Sequence, residues 1–326
     1  MVKPEALIAA MLQAHHGATV EPITVAPQAD GPQGYSGAML RYYDVTYTLR
    51  GNVERMAIVT KEASLVERRT LAWLNEHGLA VPFSYIADLT TDESVSVCMA
   101  YAGDSAPAQG SVQKVAHALA VIHHAALEHG SDLTWLPPAD NTFLTERIVD
   151  ICWRRPWRHL STGEGYTNWY GQFQPAVDPD VAFNEAFGAI YPLLEKRAKR
   201  FADDMAALWA AGDSLTLVHC DFHDSNVRWQ AGRPRLLDWE QAQYGSLYID
   251  LPNYFSRQEA LLYRNALADL GHTIPRDKFL AGYDAACPYP GFKYFGIGLW
   301  NWRHGDLAQR HKNVQYWIDM VLGAGR

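Results

Sequence analysis

Residues 217–227 read Leu217-Val218-His219-Cys220-Asp221-Phe222-His223-Asp224-Ser225-Asn226-Val227. A short apolar run, suited to a buried strand, gives way to two imidazoles, a thiol, two carboxylates and an amide. Three chemistries fit such a segment. A zinc site would use His219, Cys220 and His223, but structural zinc takes four such ligands and catalytic zinc three plus water. Adjacent residues on an extended segment face opposite sides, and no second Cys or His pair stands at ligand spacing. A plain loop would use these side chains to satisfy backbone groups. A catalytic loop would use them on a substrate, and the residues that follow favour this reading.

Asn226 begins the run Val227-Arg228-Trp229, and Gln230-Ala231-Gly232-Arg233-Pro234 has the composition of a loop. Arg235-Leu236-Leu237 then leads into Asp238. This is a hairpin pattern. Asn226 and Asp238 are equally far from Gly232, so they are expected to face each other across the strands, where opposed Cβ atoms lie about 5 Å apart. An amide oxygen and a carboxylate oxygen could then share one ion. Hard oxygen ligands in small number, with room for phosphate oxygens and water, suit Mg²⁺. Asp221 precedes Asn226 by five residues, the H-x-D-x-x-x-x-N spacing of a phosphoryl-transfer loop. Asp221 is expected to accept the proton of an attacking hydroxyl, while Asn226 and Asp238 hold the metal on nucleotide phosphates.

The block His219-Cys220-Asp221-Phe222-His223-Asp224-Ser225-Asn226, followed by Leu236-Leu237-Asp238-Trp239-Glu240, resembles the signature of the aminoglycoside phosphotransferase and choline kinase-like family. Gly245-Ser246-Leu247-Tyr248-Ile249-Asp250-Leu251 resembles that family's Gly…Asp-Leu segment, and Leu119-Ala120-Val121-Ile122-His123 its Leu-Ala-x-Leu-His helix. The resemblance implies an α+β, protein-kinase-like fold with a small sheet-plus-helix N-lobe and a larger, mainly helical C-lobe. It implies ATP or GTP with Mg²⁺, and a small-molecule hydroxyl as acceptor. It also implies that Asp250 steadies the catalytic loop. Cys220 stands where the family has glycine, and the last seventy residues carry no motif of it.

The first hundred residues fit the same picture. Lys61 follows the apolar run Met56–Thr60 and takes the place of a phosphate-binding lysine. Glu67 is its expected partner on the next helix, although Ser64-Leu65-Val66-Glu67 is also a capping-box sequence and Glu62 is a rival. Gly31-Pro32-Gln33-Gly34-Tyr35-Ser36-Gly37 sits where a phosphate-covering loop belongs, so Gly34 and Gly37 are candidate contacts. Met99 and Tyr101 fall where backbone groups would meet a purine.

The chain has 326 residues, 48% of them hydrophobic and 20% charged, enough for a large core and against disorder. Strands are expected over 38–50 and 56–60, helices over 64–77, 111–128, 183–211 (with Pro192 a point of interruption), 257–270 and 306–322. The change of character near residues 101–105 predicts a nucleotide-binding lobe over 1–101 and a catalytic and substrate-binding lobe over 102–326. The net charge of -8 argues against a nucleic-acid partner, and no run is long enough to span a bilayer, so a cytoplasmic protein is expected. The four dispersed cysteines read as free thiols.

Asp238 is followed by Trp239-Glu240 rather than Phe-Gly, and eleven residues separate it from Asp250, too few for a regulated activation segment. A compact acceptor is therefore expected: an aminoglycoside-like antibiotic, an amino alcohol or a sugar. The Trp- and Arg-rich stretch 151–173 could wall an acceptor or simply fill a core. A catalytically silent nucleotide sensor and a zinc hydrolase stand as alternatives. Oligomeric state is not legible.

Overall fold

Tyr43, Val45 and Tyr47 point inward from alternate positions of β2 (Arg41–Leu49), the period-2 pattern of a half-buried strand. The structure is a computed structural model and describes residues 3–28, 40–103, 111–306 and 308–323. β2 turns into β3 (Asn52–Ala63) through Arg50 and Gly51, both left-handed, with Leu49 opposite Asn52. Two left-handed positions make a turn whose twist matches that of antiparallel strands. With β1 (Glu21–Pro27), β4 (Ser84–Tyr85) and β5 (Val95–Ala100) they form a five-stranded antiparallel sheet in the order β1-β2-β3-β5-β4. The N-terminal helix α1 (Pro4–His16) lays Leu7, Ile8, Met11 and Leu12 against Tyr43, Val45, Ile58 and Cys98, one apolar stripe on one sheet face. Helix α2 (Leu65–Glu76) starts at Ser64, whose Oγ accepts the amide of Glu67, and stops before Gly78, which is left-handed.

The chain divides into two compact units, Met1–Ala125 with His223–Ala242, and Ala126–Phe222 with Gln243–Arg326. The first unit thus gains most of helix α3 (Ser111–Glu128) and the hairpin Val227–Gln230/Arg233–Leu236, beyond the change of composition near residue 101. Within it, the amide of Leu236 bonds the carbonyl of Ala80, and Arg235 reaches the carbonyl of Val81.

The second unit is mainly helical. Pro192 sits in the first turn of the helix Tyr191–Ala211, where its missing N–H costs nothing. The expected helix over 183–211 is therefore two, joined through a short 3₁₀ turn at Gly188–Ile190. Trp153 and Trp157 are buried against Phe292, Phe295, Tyr191 and Phe183, so these members of the Trp-rich stretch are core. Two of its arginines are paired locally: Arg154 forms a two-pronged pair with Glu195, and Arg155 bonds Asp150. All four cysteines are free and buried. Among the described residues no helix is long and apolar enough to cross a membrane.

Sequence periodicity does not announce the helix Pro288–His304. It is apolar nearly all round, as expected of a buried helix, and three glycines let neighbours approach closely. A Cβ on Gly298 would lie 2.5 Å from Cδ1 of Trp317, on the helix Arg310–Leu322. We predict that Gly298→Ala lowers unfolding stability by about 1–3 kcal/mol through overpacking, measured by urea denaturation.

Candidate active site

Lys61 lies on β3 opposite Val97, and the residue is 7% exposed. Its Nζ is 2.6 Å from Glu67 Oε1 and 2.8 Å from Asp238 Oδ1. Burial alone would lower the lysine pKa, but the two carboxylates outweigh it and raise the pKa above its ordinary value. Glu67 comes into reach because α2 begins immediately after β3. Its backbone amide caps the helix on Ser64 while its side chain turns to Lys61, so the two sequence readings of Glu67 describe different parts of one residue. Glu62 is bonded to the Ser96 hydroxyl instead.

The hairpin register differs from the symmetric one. Ala231 and Gly232 are both left-handed and form a two-residue turn closed by Gln230 and Arg233. The centre of symmetry therefore lies between two residues rather than on Gly232. Asn226 consequently meets Leu237, whose amide donates to the Asn226 carbonyl at 2.9 Å, and does not stand opposite Asp238. Asp238 follows with φ 64° and ψ 59°, a left-handed bend that carries its side chain to Lys61. Asn226 is nearly buried, with Nδ2 3.3 Å from His223 Nε2. An amide and a carboxylate offer hard oxygen donors of the kind Mg²⁺ accepts when phosphates and water complete its shell.

Gly34 and Gly37 lie outside the described residues. Met99 is paired within β5, opposite Val59 and Ser84. The amide of Ala100 donates to Phe83 and that of Tyr101 to Ala57, both at 2.9 Å. The amides of Ala100 and Tyr101 are thus used within the sheet, which leaves carbonyls as the backbone groups this stretch could offer a purine.

In the second unit the strand Leu215–Val218 runs into His219. The amides of His219 and Cys220 donate to the two oxygens of Asp250, at 2.7 and 2.8 Å. Cys220 is left-handed, with φ 61°, a conformation glycine adopts without strain. His219 Nδ1 accepts the amide of Asp221 at 3.3 Å. The Asp221 side chain is 16% exposed. Lys293 Nζ and Tyr294 Oη both donate to its Oδ1, each at 2.5 Å. Lys293 also donates to the Cys220 carbonyl, which accepts the Tyr289 hydroxyl at 2.8 Å. Burial pushes the Asp221 carboxyl up, but the Lys293 charge and the bonds from Lys293 and Tyr294 bring it down to about 2. Tyr294 is pushed well up, first by burial and then by Asp221, so it remains a donor.

Lys293 and Tyr294 lie in the seventy residues that carry no recognised motif. One signal points to them in the sequence. Lys293 is the only charged residue between Pro288 and Trp302, and a lone ammonium in an apolar helix implies a buried partner. For the zinc alternative, among the described residues no three His, Cys, Asp or Glu side chains are grouped to hold a metal ion. Burial, the largest influence, pushes the Cys220 thiol up, away from the thiolate that metals bind.

The profile of the phosphotransferase enzyme family, APH, matches residues 54–289. The chain belongs to this phosphotransferase family. Among solved structures, the AMP-bound spectinomycin phosphotransferase is similar in fold, with 13% identity, 98% of each chain covered and a TM-score of 0.54. A choline/ethanolamine kinase family protein from Mesorhizobium loti shares 12% identity over 98% of this chain and 92% of its own, at a TM-score of 0.52. An ethanolamine kinase from Plasmodium vivax shares 13% over 97% and 86%, at 0.51. No curated protein matches the chain in sequence. The two-part fold is the protein-kinase-like one of this phosphotransferase family, with a small antiparallel sheet and a mainly helical remainder.

Asp250 accepts two buried amides, and bonds to charged groups contribute about 1.5–3 kcal/mol each. We predict that Asp250→Ala costs about 3–6 kcal/mol of unfolding free energy, read from the shift of the urea midpoint.

Proposed function

We propose that this phosphotransferase moves the γ-phosphoryl group of ATP or GTP to a hydroxyl of a small molecule, such as an aminoglycoside-like antibiotic, an amino alcohol or a sugar. The observation that carries the reading is the buried Lys61 ammonium held by Glu67 and Asp238. A lysine fixed in this way is a preorganised partner for nucleotide phosphates. Kindred folds support a small acceptor, since their proteins are a spectinomycin phosphotransferase and choline or ethanolamine kinases. The nucleotide donor is drawn from the cytoplasm.

Each residue then has a role. Lys61, oriented by Glu67, binds the α- and β-phosphates. Asn226 and Asp238 would hold Mg²⁺, which would offset charge on the phosphate oxygens. Asp221 is ionised at neutral pH and accepts a hydrogen bond from the acceptor hydroxyl. The hydroxyl oxygen bonds to the γ-phosphorus and its proton passes to Asp221. The bond from that phosphorus to the bridging oxygen breaks, and its electron pair leaves with the nucleoside diphosphate. A carboxylate held near 2 is a weak base, so it serves first to orient the hydroxyl and takes the proton late. This suits a loose transition state, in which the nucleophile bonds little before the leaving group departs.

The test is nucleotide consumption with Mg²⁺ across aminoglycosides, macrolides, choline, amino alcohols and sugars. An acceptor-dependent signal is expected, and product mass shows the added phosphate. Asp221→Ala is expected to bind nucleotide normally by calorimetry and to lose at least about a hundredfold in turnover. Undiminished turnover in that variant rules out the assigned base.

A further inference from the structure

The helix Pro288–His304 places two consecutive side chains on one carboxylate oxygen. Lys293 Nζ and Tyr294 Oη each lie 2.5 Å from Asp221 Oδ1. Lys293 is 8% exposed, and its other bond is to the carbonyl of Cys220, the residue before Asp221. A buried ammonium is costly unless it is both paired and hydrogen-bonded. Lys293 is so satisfied, by the one loop that carries the proposed base. Its position is also tightly held. A Cβ on Gly291 would meet the Val321 backbone at 2.8 Å, and one on Gly296 the Cys152 carbonyl at 3.0 Å, so the helix that carries Lys293 lies hard against its neighbours.

We propose that Lys293, assisted by Tyr294, is a positioning residue for phosphoryl transfer: it holds the buried Asp221 carboxylate in one orientation and neutralises its charge at the reaction centre. The proposal rests on Asp221 being the group that takes the acceptor hydroxyl. The chemistry needs such a cation. Transfer brings an anionic phosphoryl group to the hydroxyl that a carboxylate holds, and like charges disfavour each other in a low-dielectric site. Orientation matters as well, because a base free to rotate spends little time at the hydroxyl. Two donors on a single oxygen fix the plane of the carboxylate.

The groups that influence Asp221 come from several elements. Lys293 and Tyr294 stand on the helix. His219 is on the loop itself and favours the ionised form. Cys220, Tyr289 and Asp250 surround the Cys220 carbonyl and the loop amides. Of these, Lys293 is the strongest influence against burial. Without it, burial is opposed only by the Tyr294 bond and by His219, and the carboxyl is expected to rise past the ordinary aspartate value of about 3.9. Protonation of the base then enters the working pH range, and an acidic limb appears where the intact protein has none.

The experiment reads the carboxyl directly and needs no acceptor. Full-length protein carrying ¹³C-labelled aspartate is titrated by NMR between pH 8 and pH 4, with the Asp221 signal assigned by its loss in D221N. In the intact protein that signal should stay at its ionised position throughout. In K293M it should titrate with a midpoint at least about one unit above the ordinary aspartate value. K293R keeps the charge and should restore the unshifted signal. Y294F should move the midpoint in the same direction by less, and it becomes the deciding variant if K293M fails to fold by circular dichroism. An Asp221 signal that stays ionised to pH 4 in folded K293M overturns the proposal, as does an unshifted signal in Y294F when K293M is unfolded. With an acceptor from the panel, kcat/KM of K293M should fall about twofold or more between pH 8 and pH 5, while the intact protein stays level. Equal slopes in the two proteins overturn it too. Full turnover in D221N would instead remove the assignment of Asp221 as base and leave the titration result standing.

Discussion

Two amides, those of His219 and Cys220, need an acceptor where the chain leaves a buried strand, and one carboxylate supplies both. Asp250 takes each N–H on a different oxygen. A buried amide left unpaired costs about 1–3 kcal/mol. The two hydrogen bonds therefore fix not only the loop's position but its bend, including the left-handed turn at Cys220. With the bend set, the next residue, Asp221, meets Lys293 and Tyr294. The Asp221 carboxylate is thus aimed by a backbone requirement of its neighbours.

The same logic appears in the first unit. Lys61 is buried, so its charge must be answered by carboxylates. Glu67 answers from the first turn of α2 and Asp238 from the bend after the hairpin. Ser64 matters to this geometry because it fixes where the helix begins, and therefore where Glu67 stands. Local capping and long-range ion pairing are two ends of one arrangement.

How much of this is legible in sequence depends on how local the controlling contact is. β2 and β3, α2 and α3 follow from alternation, caps and helical spacing, all short-range signals. The loop 219–226 stands out because functional groups crowd it. The hairpin register departs from the symmetric expectation by one position, because counting from Gly232 overlooks that Ala231 shares the turn. The pairing of the Tyr101 amide with the Ala57 carbonyl is hidden for a related reason, since it depends on a strand more than forty residues away. Lys293 is hidden as the partner of Asp221 because the two are seventy-two positions apart and its helix has no amphipathic rhythm to mark a face. Tryptophans 153 and 157 are ambiguous in sequence, since an aromatic wall and an aromatic core have the same composition; their burial settles them as core.

The segment 223–242 belongs with the first 125 residues, yet it is encoded after nearly a hundred residues of the other unit. Neither unit is a continuous piece of chain. On the ribosome, the early sheet must wait for its hairpin until Ala242 has emerged, and by then the second unit is still without its last helices. Cutting the gene at a domain border would leave two fragments, each missing part of its own interior. The two halves of the enzyme are in this sense tied together in time, and folding must close both from a single, nearly finished chain.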